Sequence, residues 1–146
     1  MNGIFRYFKR EIPASLAEVD GLCLQFRSLL METGTLNSQA RFALELLARE
    51  ALSNAVRHGC YDDARKRVFF ECRLGSLCIT LKVTDEGPGF DWRAGLLRPA
   101  DDEAAGGRGL SLFQLYASKV LYNQRGNRIL LIRAIKEPTC PTTQQA

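Results

Sequence analysis

The spacing of apolar residues in the first part of the chain predicts a strand followed by two helices. Residues 4–12 mix aromatic, branched and basic side chains in a short run, which is typical of a strand. Apolar residues then recur at helical spacing over 16–30, behind Ser15 and Glu18, which have the spacing of a capping box. A second helix is predicted over 37–58, and the glycine that follows should end it.

The rest of the chain predicts two hairpins separated by a loop and a helix. Alternate residues are apolar over 68–74 and 77–83, and the Gly-Ser pair between these runs predicts an antiparallel hairpin. Residues 92–107 contain glycine, proline and three consecutive acidic residues without periodicity, which predicts a mobile loop. A third helix is expected over 110–118 and a second hairpin over 120–135.

The order of these elements indicates the fold class. A strand, two helices, a hairpin, a helix and a second hairpin have too few crossovers for a doubly wound parallel sheet. We therefore expect an α+β domain, a two-layer α/β sandwich with a mainly antiparallel sheet and helices on one face. The domain is assigned to residues 1–136, and residues 137–146 are expected to form a flexible tail.

Composition narrows the classes of partner and compartment. A length of 146 residues with 46% apolar content fits one globular domain. The net charge is +4, and the basic residues are scattered among acidic residues, so no direct nucleic-acid binding is expected. No apolar run is long enough to cross a bilayer, which predicts no membrane association. The five cysteines form no CxxC pair, and together with the lack of a leader-like segment this predicts a cytoplasmic protein with free thiols.

Candidate chemistry appears first in the second helix, where Glu50 and Asn54 share a face. Residues four apart differ by roughly 40° around a helix axis, and Ala43, Leu46 and Leu47 lie close to the same direction. Buried polar groups require partners. One interpretation is a hydrogen-bonded core pair or a partly exposed helix edge. The other is that the Asn54 amide oxygen ligates Mg²⁺ and Glu50 serves as a general base.

A second candidate lies at the end of the strand over 77–83. Two-residue periodicity places Asp85 on the inward face of that strand. A carboxylate delivered there can accept a hydrogen bond from the exocyclic amine of a purine, and Gly87 and Gly89 would allow close backbone approach. The alternative is an ordinary turn, because Asp, Gly and Pro are common turn residues.

A third candidate is the glycine cluster ahead of the third helix, which includes Gly107 and Gly109. Glycines that open a helix expose backbone N–H groups at its positive end, which favours phosphate. The cluster has neither the GK[ST] ending of a P-loop nor the preceding strand of a dinucleotide fingerprint.

Together the three motifs resemble the ATP-binding boxes of the histidine-kinase-like (GHKL, or Bergerat) ATPases. The resemblance covers about residues 4–135. Residues 50–59 are similar to the N box, residues 85–89 to the first glycine box, and residues 107–110 to the second. The resemblance implies that Glu50 is catalytic, that Asn54 holds magnesium, and that the adenine amine binds Asp85. It also implies nucleotide contacts by residues of the three boxes: Asn54, Arg57, Asp85, Gly87, Gly89, Gly107, Arg108, Gly109 and Leu110.

Within this class the chain looks most like the stand-alone anti-sigma factor serine kinases, because Glu50 is followed four residues later by Asn54. That likeness implies ATP and Mg²⁺ as cofactors, and phosphorylation of an anti-sigma factor antagonist of the STAS type. It also implies a sigma factor as a second partner and leaves a homodimer open. The alternative is an ATP-binding anti-sigma or adaptor module that sequesters a partner without phosphoryl transfer.

Three basic side chains near these motifs have two interpretations each. Arg57 and Arg108 either neutralise phosphate charge or are solvated surface residues. His58 is the one histidine of the chain, and we expect a structural role at the helix end rather than a role as phosphoacceptor.

Overall fold

Five strands form one antiparallel sheet in the computed structural model, which describes residues 4–91 and 107–135. Their order across the sheet is β1-β2-β3-β5-β4, so β3 is central. All neighbouring strands pair in opposite directions. The strands are β1 (Ile4–Pro13), β2 (Arg67–Gly75), β3 (Cys78–Asp85), β4 (Lys119–Tyr122) and β5 (Arg128–Ala134).

Three α-helices accompany the sheet within the described ranges: α1 (Leu16–Glu32), α2 (Ser38–Asn54) and α3 (Gly107–Tyr116). A π-helical turn, Ala55–Gly59, continues α2 without a break. The helices α1 and α2 pack against each other, and α3 packs against α2. The α+β two-layer fold predicted from the sequence is confirmed.

The core lies between the helices and one face of the sheet. Every second residue of β2 and β3 is buried on that face, as the alternation predicts. Phe26 of α1 packs edge-on against Phe70 of β2, with the ring centroids 5.1 Å apart. Phe8 of β1 completes this aromatic cluster at 6.1 Å from Phe26. Contacts of this kind fix the helical layer on the sheet.

The opposite face of the sheet carries charged and polar residues. Glu71 of β2 and Lys82 of β3 stand directly across from each other and form an ion pair. The Tyr7 hydroxyl of β1 also donates to Glu71. This face is called the open face below.

Several local predictions were wrong. Ser15 stands at the N-cap of α1, but its side chain makes no capping hydrogen bond. Leu77 precedes β3 and is 56% exposed, since it belongs to the turn and not to the strand. Helix α3 begins at Gly107 and not at residue 110. The prediction excluded the glycines because glycine is a poor helix former, but the first turn of a helix can contain them. The second helix is correctly located, and the Asn37 side chain caps it by accepting from the Ala40 N–H at 2.7 Å.

The predictions on cysteines, membrane spans and the domain boundary can be compared with the described residues. Four cysteines in the described ranges are free thiols: Cys23, Cys60, Cys72 and Cys78. No helix in those ranges combines the length and apolarity needed to span a membrane. The predicted loop over 92–107, except for Gly107, and the tail after residue 136 lie outside the described residues, so the domain boundary stays a prediction.

Candidate functional site

Asp85, the last residue of β3, is the one charged side chain that is buried in the described part of the chain, with 8% of its surface exposed. Its Oδ1 atom accepts a hydrogen bond from the Gly87 N–H at 2.8 Å. No described residue donates to Oδ2. Every fully buried side-chain oxygen of the described residues has a hydrogen-bond partner. Since Oδ2 has no such partner, it is not fully buried, and solvent reaches it. The carboxylate therefore presents one oriented acceptor atom to a ligand.

The electrostatic surroundings of Asp85 favour a ligand that donates hydrogen bonds. Burial raises the pKa of Asp85 above that of an ordinary carboxyl group. The Gly87 hydrogen bond and the charges of Arg125 and Lys66 act in the opposite direction but do not cancel the effect. An N–H donor from a ligand would offset the desolvation of the ionised carboxylate.

Two glycines allow the end of α2 to contact the end of β3. A Cβ atom at Gly59 would lie 2.5 Å from Oδ2 of Asp85, which is far inside contact distance. A Cβ atom at Gly87 would lie 1.8 Å from the Gly59 carbonyl oxygen. Gly87 therefore allows a close approach between two backbones, whereas the approach of Gly87 and Gly89 to a purine ring stays a prediction. The approach between the backbones joins the first two sequence motifs in space.

The π-helical turn is what brings Gly59 to Asp85. The Cys60 N–H bonds to the Ala55 carbonyl at 2.8 Å, five residues back, instead of the four of an α-helix. The chain then reverses through Tyr61 and Asp62, both of which have positive φ angles. Short π segments inside helices are often found at functional sites. Apolar spacing predicted an uninterrupted helix here, and it gives no indication of this turn.

Glu50 and Asn54 lie half-buried at the border between the inward face of α2 and solvent. Neither side chain makes a hydrogen bond or an ion pair with any described residue. The hydrogen-bonded core pair considered above is thus absent from the described residues, whereas the helix-edge placement is correct. Leu46, which was expected to lie on the same apolar surface, is also only half-buried. Both polar groups remain available for a ligand.

The turn between β4 and β5 packs onto the glycine segment that follows Asp85. Gly89 has a φ of +86°, and a Cβ atom there would lie 2.0 Å from the Arg125 carbonyl oxygen. Gly126 has a φ of +79°, and its Cβ would lie 2.1 Å from the Phe90 carbonyl oxygen. The Arg125 Nε atom also donates to the Pro88 carbonyl at 3.2 Å. The sequence predicts a turn at 125–127 but not this contact, because no local pattern links segments so far apart.

The remaining predicted site residues are described only in part. Helix α3 begins at Gly107, so the backbone N–H groups of Gly107, Arg108 and Gly109 belong to its first turn and have no intrahelical acceptor. The side chains of Arg108 and Leu110 lie outside the described residues. Arg57 is exposed, and its side chain makes no hydrogen bond or ion pair with the described residues.

His58 follows Arg57 in the π-helical turn. Its side chain is exposed and makes no hydrogen bond to the described residues. The structural role predicted for His58 therefore has no hydrogen bond to support it among the described residues.

Comparison with known families identifies the class that this fold and site define. The chain matches the family model of the histidine kinase-like ATPase domain over residues 12–133. The chain therefore belongs to the histidine kinase-like ATPase domain family. A comparison with curated proteins gives no match. Membership of the family supports ATP binding and, in general terms, ATPase or kinase activity.

The residues present fit ATP and magnesium. The free, solvent-reached Oδ2 of Asp85 is a suitable acceptor for the adenine amine. The amide oxygen of Asn54 is a hard donor of the kind Mg²⁺ prefers, and no described residue occupies it. The first turn of α3 offers N–H groups to phosphate.

Proposed function

We propose that the protein is an ATP-dependent serine/threonine protein kinase that also acts as an anti-sigma factor. One observation carries the proposal of catalysis. Glu50 is a half-buried carboxylate with no partner among the described residues, one helical turn before Asn54 on the helix whose end contacts Asp85. A general base needs a lone pair that can accept the proton and must come within hydrogen-bond reach of it.

Each site residue has a distinct role in this proposal. Asp85 accepts a hydrogen bond from the adenine amine, which orients the base. The Asn54 amide holds Mg²⁺, which would neutralise phosphate charge during transfer. The first-turn N–H groups of α3, with Arg57 and Arg108, bind the phosphates. Glu50 accepts the proton of the seryl or threonyl hydroxyl as that oxygen bonds to the γ-phosphorus and ADP leaves.

The partners proposed for this kinase are a sigma factor and an anti-sigma factor antagonist of the STAS type. This part rests on the resemblance of the Glu50 and Asn54 spacing to the stand-alone anti-sigma kinases. Binding of these two partners would make the protein a regulator of transcription that does not contact nucleic acid directly. A cytoplasmic location follows from such partners.

The direct test incubates the purified protein with MgATP and candidate antagonist proteins, followed by detection of phosphoserine and phosphothreonine. We expect transfer by the wild type and its loss in Glu50→Gln, while ATP affinity stays within about twofold because the base does not hold the nucleotide. Glu45→Gln is the matched control, because Glu45 lies on the same helix but pairs with Arg27. Undiminished transfer by Glu50→Gln would exclude Glu50 as the base. ATP binding without any transfer would favour the adaptor.

A further inference from the structure

The main chain of Asp85 is held on its β5 side by one residue, Asn127. The Asp85 N–H donates to the Asn127 carbonyl at 2.9 Å. In return, the Asn127 side-chain Nδ2 donates to the Asp85 carbonyl at 3.0 Å. Both backbone groups of Asp85 that face β5 are therefore bonded to the same asparagine.

The second of these hydrogen bonds replaces a rung of the sheet that β5 no longer supplies. The last paired residues of β3 and β5 are Thr84 and Arg128. The backbone N–H of Asn127, which would donate to the Asp85 carbonyl in a continued ladder, donates instead to Oδ1 of Asn123 at 3.1 Å, so this carbonyl has no strand partner on the β5 side. The Asn127 amide reaches back and satisfies it.

A second asparagine fixes the orientation of the Asn127 amide. The Oδ1 atom of Asn123 accepts hydrogen bonds from the backbone N–H groups of Gly126 at 2.9 Å, Asn127 at 3.1 Å and Arg128 at 3.1 Å. Its Nδ2 atom donates to Oδ1 of Asn127 at 2.7 Å. Because the Asn127 oxygen is thus occupied by a donor, its NH₂ group faces the Asp85 carbonyl.

We propose that Asn127, oriented by Asn123, is a positioning residue for recognition of the purine amine by Asp85. The inference rests on the proposed ATP site. With the main chain of Asp85 fixed by Asn127 and Oδ1 fixed by the Gly87 N–H, the direction of Oδ2 is determined before a ligand arrives. Asn127 acts through Asp85 and does not itself need to touch the nucleotide.

The test compares ATP with purine riboside triphosphate, which lacks only the 6-amino group. The ratio of the two affinities measures the hydrogen bond to Asp85 and does not depend on the phosphates. In Asn127→Asp, an acceptor replaces the donor at the same size and faces the Asp85 carbonyl. We expect the preference for ATP to fall roughly tenfold, the effect of one lost hydrogen bond. Gln124→Ala, an exposed change in the same turn, should keep the wild-type ratio.

A second variant covers the case in which Asn127→Asp does not fold. Asn123→Asp keeps the acceptor for the three turn N–H groups and removes the donor that orients Asn127. We expect a reduced ATP preference with an unchanged melting temperature. A wild-type ratio in the folded variants, or an equal loss of both nucleotides, would overturn the positioning role alone. A wild type that binds both nucleotides equally would overturn adenine recognition by Asp85, and one that binds neither would overturn the ATP site itself.

Discussion

Gly59 and Asp85 contact each other so closely that a Cβ atom on the glycine would lie 2.5 Å from the carboxylate. This contact joins the end of α2 to the end of β3. Glu50 and Asn54 lie on α2, so the same contact ties their helix to the residue proposed to bind adenine. The spacing between the proposed base, the proposed metal ligand and the proposed nucleobase acceptor thus depends on a position where only glycine fits.

Substitution of Gly59 tests this contact. Gly59→Ala should destabilise the fold by about 2 kcal/mol, because the added methyl group overpacks a rigid contact. It should also weaken ATP binding, since the Asp85 carboxylate must move. Denaturant unfolding and ATP titration measure the two effects. Gly21→Ala is the control, because Gly21 is exposed in α1 and a Cβ atom there would meet no other atom within 4 Å.

The control has its own expected result. Alanine is the better helix former, so Gly21→Ala should stabilise the protein by roughly 0.5–1 kcal/mol and leave ATP binding unchanged. If both substitutions had the same effect, the contact between Gly59 and Asp85 would carry no special constraint.

Asp85→Asn should stabilise the nucleotide-free protein at neutral pH. Folding raises the pKa of Asp85, mainly through burial, so the folded state binds its proton more tightly. The contribution of Asp85 to stability therefore falls as pH rises from the ordinary carboxyl pKa to the raised one, and stays low above it. Unfolding curves of both proteins across this range should converge in acid. A variant less stable than the wild type at neutral pH would contradict the assigned cause.

Glu71 on the open face should behave in the opposite way. The Lys82 ammonium and the Tyr7 hydroxyl lower the pKa of Glu71, so its stabilising contribution is present above the ordinary carboxyl pKa and lost as pH falls through the lowered one. Glu71→Gln should cost about 1 kcal/mol at neutral pH. The difference from wild type should shrink in acid. ATP affinity should not change, because this face lies away from Asp85, and a drop in affinity would show otherwise.

The role of Asn54 predicts a magnesium effect. Removing Mg²⁺ with a chelator should weaken ATP binding by the wild type. Asn54→Ala should lower the apparent Mg²⁺ affinity by at least roughly tenfold, the loss typical of a perturbed metal shell. Ser53→Ala, a change at the neighbouring residue, should bind Mg²⁺ and ATP like the wild type. Titration of Mg²⁺ at fixed ATP separates the three proteins, and equal Mg²⁺ dependence in all of them would exclude Asn54 as a ligand.

The strands and the core helices were predictable because their patterns are local. Alternation placed Val68 and Phe70 inside, and the same alternation correctly carried Asp85 into the core at the end of β3. The helical spacing that located α2 depends on burial of one face, which the structure shows. Ser15 shows the limit of a short motif, because the residue stands at the helix start without forming the expected bond.

The contacts that shape the site were not predictable from the sequence. The packing of Gly59 against Asp85 and of Gly89 against Arg125 joins segments distant along the chain, and no periodicity reports on such pairs. The π-helical turn differs from an α-helix in the spacing of its hydrogen bonds and not in the positions of its apolar residues, so hydrophobic spacing does not reveal it. The asparagine pair at 123 and 127 has the composition of an ordinary turn, and only its geometry relates it to Asp85.

Calorimetric titration of ATP into the wild-type protein and Asp85→Asn at neutral pH determines whether Asp85 holds the nucleotide. We expect the wild type to bind MgATP saturably. Asp85→Asn should lose most of this affinity while remaining folded, because its one amide oxygen would accept from the Gly87 N–H and its NH₂ group, a donor, would face the adenine amine. Absence of binding by the wild type at millimolar ATP, or equal affinity in the two proteins, would contradict this expectation.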